Sequence, residues 1–180
     1  MGKVLDALDP KLTDWIGEQH VFFVATAPAA GGHVNLSPKG HDCFRVLDDR
    51  TVAYLDLTGS GAETIAHTRE NGRITVMFCA FEGPPLILRL FGVGEAHPHG
   101  STRYDELVGG LPDLPGARSI VMVAIDRVQT SCGFSIPFME YQDERPTLQQ
   151  WAERQGDDGL AEYWADRNAQ SIDGLPALDG

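Results

Sequence analysis

At 180 residues the chain is long enough for one well-buried domain, and no linker-like or low-complexity stretch divides it. Its 14 Lys and Arg against 26 Asp and Glu leave a net charge of −12, which argues against nucleic-acid partners because these need clustered cations to neutralise phosphates. Cys43, Cys79 and Cys132 form no CxxC pair, and neither an N-terminal apolar h-region nor an apolar run of about 18 residues is present, so a reducing, cytoplasmic location without membrane insertion is expected.

In chain order, Leu12, Trp15 and Ile16 share one face of a helix expected over Lys11 to Gln19. Val21 to Thr26 is aromatic and β-branched and reads as a strand, closed by Pro28 and Gly31-Gly32 before a second strand begins at Val34. That strand is expected to end in a lysine-bearing turn, Ser37-Pro38-Lys39-Gly40. Cys43 to Leu47 and Thr51 to Leu57 flank Asp48-Asp49-Arg50 and predict a hairpin.

Ser60 followed by Glu63 has the form of a capping box, and Gly72 after Asn71 supplies a stop, so a helix is expected over Ser60 to Glu70. Ile74 to Phe81 and Leu86 to Ala96 alternate as strands around Gly83-Pro84-Pro85. A short helix over Ser101 to Leu107, a loop over Pro112 to Gly116 and a strand over Ser119 to Val128 follow. Six or seven strands in mostly hairpin order with one mid-chain helix argue for an antiparallel barrel over a doubly wound sheet. The last third is helical: Thr147 with Gln150 repeats the capping-box pattern, a second helix carries Leu160, Tyr163 and Trp164, and Ser171 to Pro176 reads as an ordered turn. We therefore expect a single domain over residues 1–180, with the barrel at about 20–130 and a helical appendage at about 147–180.

The chemistry points to a phosphate-bearing cofactor. Lys39 offers a cation, Ser37, Ser60 and Thr64 offer hydroxyls, and the start of the Ser60 helix offers oriented N–H groups, all within one supersecondary unit. Arg89 alternates with Leu88 and Leu90 and so falls on the polar or site-facing side of its strand.

Val34-Asn35-Leu36-Ser37-Pro38-Lys39-Gly40, Thr51 to Asp56, the Ser60 helix through Arg73, and Leu88 to Ala96 together resemble the flavin-binding split-barrel family that includes pyridoxamine 5'-phosphate oxidase, over about a third of the chain. The resemblance implies a mainly β, Greek-key-like split β-barrel with helices, working as a homodimer with its cofactor near the subunit interface. Trp151 and Trp164 are candidates for burial there. It also implies FMN as cofactor, bound by Ser37, Lys39, Ser60, Thr64 and Arg89, with the deazaflavin F420, FAD and haem as alternatives. The expected activity is FMN-dependent oxidation or reduction of a small organic substrate, with NAD(P)H as a possible donor. A non-catalytic flavin, deazaflavin or haem carrier is the alternative. Gly61 and Ala62 stand where the pyridoxamine enzymes carry an adjacent arginine and lysine. The tail after Trp164 offers Arg167 but no histidine, so these departures point away from vitamin B6 oxidation.

Other patterns carry less. His97 and His99 flank Pro98 without partners at zinc spacing, and are expected in a polar loop rather than at a metal. Cys132 has no acid–base partner marked by a motif, and no residue is assigned a catalytic role. Gly92 and Gly94, inside a strand pattern, are expected where a backbone or ring approaches closely.

Overall fold

The alternating apolar segments of the sequence form a single antiparallel sheet in a computed structural model, which describes residues 2–178. The strands are β1 (Val4–Leu5), β2 (Phe22–Thr26), β3 (Asn35–Lys39), β4 (Phe44–Asp48), β5 (Thr51–Leu57), β6 (Arg73–Cys79), β7 (Ile87–Pro98) and β8 (Ala117–Ser131). The helices are α1 (Pro10–Gly17), α2 (Glu63–Glu70), α3 (Thr102–Val108) and α4 (Thr147–Arg167). Strand order is β3-β2-β6-β7-β8-β5-β4, with β1 added to β8.

The two long strands β7 and β8 form the spine, and Leu88, Leu90, Val121, Val123 and Val128 on their inner faces are wholly buried. Phe44 of the last strand meets Phe22 and Phe78 from the other side of the spine, with ring centroids 5.0 and 5.1 Å apart. Those contacts require the sheet to curl until its far strand packs on its near ones, and the result is the expected split barrel. Gly92 lies at a register shift between β7 and β8, where an added Cβ would fall 2.1 Å from the Ala124 carbonyl oxygen. The close approach expected of this glycine is thus a backbone one.

Several local expectations are corrected. Ser37, Pro38 and Lys39 belong to strand β3 rather than to a turn, and β3 ends the sheet, where a proline that cannot donate is tolerated. Helix α2 starts at Glu63 with Ala62 as its N-cap and no side-chain cap, so the Ser60–Glu63 capping box does not form. Its C-terminal stop does form: Gly72, at φ +73°, donates to the carbonyls of His67 and Thr68. His97 and Pro98 extend β7 instead of opening a polar loop, and His97 is buried. The Thr147–Gln150 box is also absent, Pro146 being the N-cap of α4. At Gly156 (φ 63°, ψ 179°) α4 breaks into two helical pieces, matching the two helices read from the sequence.

The appendage packs on its own barrel. Trp164 Nε1 donates to Thr58 Oγ1 at 2.8 Å, which ties this half-buried tryptophan to the barrel of its own chain. The tail beyond α4 folds back over α2, where Ala177 and Leu178 are buried against Ala62, Ile65 and Ala66.

Candidate functional site

Edge strand β3, the end of β5, the loop into α2 and the start of β8 converge on one polar cleft of about 500 Å³. Ser37, Lys39, Ser60 and Thr64 all line it, so four of the five residues singled out in the sequence are brought together. The fifth is not. Arg89 does not line the cleft, and its Nη1 donates instead to Ser131 Oγ at 3.2 Å.

The charged part of the cleft is organised around Asp56, whose side chain has no solvent exposure. Lys39 Nζ lies 2.6 Å from Asp56 Oδ1, and Arg118 Nε lies 2.8 Å from Oδ2. Burial pushes the Asp56 carboxyl up, but the Arg118 and Lys39 charges overcome this and hold it at about 2. Arg118 is itself buried, and its Nη1 donates to Asn168 Oδ1 at 2.7 Å. The two cations therefore bracket one carboxylate and leave one positive charge at the cleft. Lys39 is a member of this network rather than the free cation expected from the sequence, and Asp56 takes only part of its ammonium's donor capacity.

Beside the charges lies a hydroxyl and amide array. Ser37 Oγ donates to Asn35 Oδ1 at 3.0 Å, and Asn35 Nδ2 donates to Thr64 Oγ1 at 3.0 Å and to Thr26 Oγ1 at 3.3 Å. Thr26 Oγ1 is 2.9 Å from His67 Nδ1. Burial lowers the His67 pKa, and its Nε2 has no hydrogen-bond partner among the described residues. Ser60 is exposed at the mouth. Glu63 opposes an anion from the rim, with its Oε1 accepting from the Ile172 N–H at 3.1 Å.

A larger cavity of about 1080 Å³ lies on the other side of Lys39, Leu57 and Gly59, which line both spaces. Cys43 lines it, but burial pushes this thiol up to about 12, so it stays protonated at neutral pH and supplies no nucleophile.

Sequence reasoning missed Arg118 and Asp56. The signal was present: Asp56 stands between Leu55 and Leu57 in an otherwise apolar strand, and a buried carboxylate demands a cation on a neighbouring strand. Arg118 stands two residues before the apolar run that begins at Ile120 of β8, and the register puts Ser119 opposite Asp56.

The curled antiparallel sheet, with a polar cleft beside its edge strand, defines a split-barrel protein. The chain belongs to the pyridoxamine 5'-phosphate oxidase family, which residues 8–132 match. It is 43% identical over 190 aligned residues to the pyridoxamine 5'-phosphate oxidase family protein ustO of Aspergillus flavus, an alignment covering 96% of this chain and 76% of that relative. Among solved structures it is similar to HupZ of Group A Streptococcus, at 25% identity and a TM-score of 0.53 over 67% of this chain and 91% of the other. A Lactobacillus delbrueckii protein provisionally assigned as a pyridoxamine 5'-phosphate oxidase gives a TM-score of 0.54 at 17% identity, over 69% and 94% of the two chains, a likeness of fold alone. No helix among the described residues is long and apolar enough to cross a membrane.

Proposed function

We propose that the protein is an FMN-dependent oxidoreductase that acts on a small organic substrate, takes electrons from a reduced nicotinamide, and works as a homodimer. The observation that carries this reading is the convergence of Ser37, Lys39, Ser60 and Thr64 with Arg118 in one cleft of a chain from this family. The donor set fits a phosphate. Lys39 and Arg118 retain N–H groups beyond those given to Asp56, Asn168 and the Gly59 carbonyl, the Ser60 hydroxyl has no partner among the described residues, and the N-terminus of α2 favours negative charge. Arg89 lies outside this cleft.

Bound there, a flavin would itself supply hydride or electron transfer. The chain's own residues anchor and orient. Lys39 and Arg118 hold the phosphate, Asp56 keeps both cations in place, and the Ser37–Asn35–Thr64 array fixes the adjoining wall.

The test compares FMN with riboflavin, which lacks the phosphate, by flavin-fluorescence titration. Lys39→Ala should weaken FMN by about 1.5–3 kcal/mol, the range for a charged hydrogen bond, and leave riboflavin unchanged. Equal FMN affinity in variant and parent places the phosphate elsewhere. Anaerobic addition of NADPH to the FMN-loaded protein then separates an enzyme, whose flavin band bleaches, from a carrier, whose ligand stays oxidised with every donor.

A further inference from the structure

The larger cavity is walled by the barrel on one side and by residues 132–146 on the other, a stretch with neither helix nor strand. This strap is pinned at several points. Met139 N–H donates to the Phe81 carbonyl at 3.0 Å, and Tyr141 N–H to Glu82 Oε1 at 2.9 Å. His41 N–H donates to Glu144 Oε2 at 3.2 Å, and the rings of His20 and Tyr141 stack with centroids 3.6 Å apart at 10°. The strap thus forms a fixed wall of the cavity rather than trailing over the surface.

Its chemistry is two-sided. Trp15, Phe23, Leu55, Leu57 and Phe81 give it an apolar, partly aromatic interior. Its rim carries five carboxylates from three separate elements: Glu18 after α1, Glu82 in the β6–β7 connection, and Glu140, Asp143 and Glu144 on the strap. Against them stand the Arg145 cation, Lys39, whose charge Asp56 already matches, and the imidazoles of His20 and His41, the latter with its Nδ1 3.3 Å from Glu144 Oε2. The side chains of Glu18 and Glu140 make no hydrogen bond or ion pair within the described residues. Low-dielectric walls under a rim of net negative charge focus the field into the opening, and aromatic faces attract cations further.

We propose that this cavity binds an organic cation with an apolar aliphatic or aromatic body. The assignment goes beyond the cofactor reading and does not depend on it, since the cavity shares only Lys39, Leu57 and Gly59 with the Lys39–Arg118 cleft and carries a charge opposite to it. An anionic ligand would face a rim on which carboxylates outnumber cations, and a neutral one would leave the free Glu18 and Glu140 carboxylates without a role. The volume suits a drug-sized molecule.

Calorimetry on the flavin-free full-length protein with three probes of one body, 4-phenylbutylammonium, 4-phenylbutanol and 4-phenylbutyrate, tests it. The ammonium should bind saturably, about tenfold or more tighter than the alcohol, with the advantage shrinking as salt is raised and the carboxylate weakest. The doubly substituted Glu18→Gln, Glu140→Gln protein changes only surface positions. It should lose a large part of the ammonium's advantage and keep the alcohol's affinity. Equal binding of ammonium and alcohol, tightest binding of the carboxylate, or no saturable ammonium binding overturns the proposal. The flavin titration is separate: ammonium binding without FMN binding defeats only the cofactor reading, and FMN binding without ammonium selectivity defeats only this one.

Discussion

Lys39 of β3 and Asp56 of β5 meet at 2.6 Å although their strands lie near opposite ends of the sheet order. The pair therefore joins the two sides of the curled sheet, and Arg118 of β8 locks the same carboxylate from the spine. The residue expected to seat a cofactor phosphate thus also helps to fasten the barrel on which the seat is built.

Asp56→Asn should destabilise the protein by about 3–5 kcal/mol at neutral pH, because two largely buried cations lose their shared counter-ion. The folded-state carboxyl titrates at about 2, below the ordinary value of about 3.9. Its contribution is therefore full above that ordinary value and is lost as pH falls towards about 2. Urea unfolding of parent and variant at pH 7 and pH 3 checks this: the gap should narrow in acid. A gap near zero at pH 7 would mean that the ion triad is dispensable.

Glu63→Gln should act in opposite senses on stability and binding. Removing a carboxylate from the first turn of α2 costs helix stability of about 0.3–1 kcal/mol, while removing it from the rim of the cleft favours an incoming phosphate by a similar amount. FMN affinity should rise roughly two- to fivefold as the thermal midpoint falls slightly, with riboflavin binding unmoved. Weaker FMN binding in the variant would place Glu63 among the groups that hold the flavin.

The barrel was legible because strand alternation and turn residues are local signals, and β4–β5, β6–β7 and the stop at Gly72 all follow from them. The Ser60–Glu63 box is absent for a long-range reason: a Ser-x-x-Glu spacing specifies a cap only if nothing competes for the glutamate, and the Ile172 N–H reaches Glu63 from more than a hundred residues away. Lys39 and Thr64 were readable from one supersecondary unit, whereas Arg118 reaches the cleft only through the β5–β8 pairing, a long-range register that no local pattern encodes. Arg89 shows the limit of alternation, which gives a side chain's face but not which outward-facing residues share a site.

Gly92→Ala should destabilise the barrel by about 1–3 kcal/mol, since the added methyl would fall 2.1 Å from a backbone oxygen of β8 and can be relieved only by shifting the spine. Gly100→Ala is the contrasting control. Its Cβ enters open space, but its φ of +79° imposes a conformational cost of about 1 kcal/mol instead of a packing clash. Denaturant unfolding should rank the two accordingly. A Gly92 variant as stable as the parent would mean that the β7–β8 register can move.

The tail over α2 should loosen in acid. Asp173 Oδ1 lies 2.7 Å from His33 Nδ1, and Asp173 Oδ2 accepts from the His33 N–H at 2.8 Å, tying the tail to the β2–β3 connection. These hydrogen bonds from His33 hold the Asp173 carboxyl below the usual carboxylate range. A depressed carboxyl stabilises above its unfolded-state value and ceases to do so as pH falls through the folded one. The clasp should therefore be intact at neutral pH and released in strong acid, while Ala177 and Leu178 remain anchored by apolar burial. Amide hydrogen exchange should show residues 171–175 losing protection at low pH before the barrel strands do, and Asp173→Asn should show the same loss already at pH 7. Because Ile172 lines the cleft, the variant should also widen its mouth and speed FMN dissociation. Unchanged tail protection in the variant would mean that apolar packing alone holds this segment.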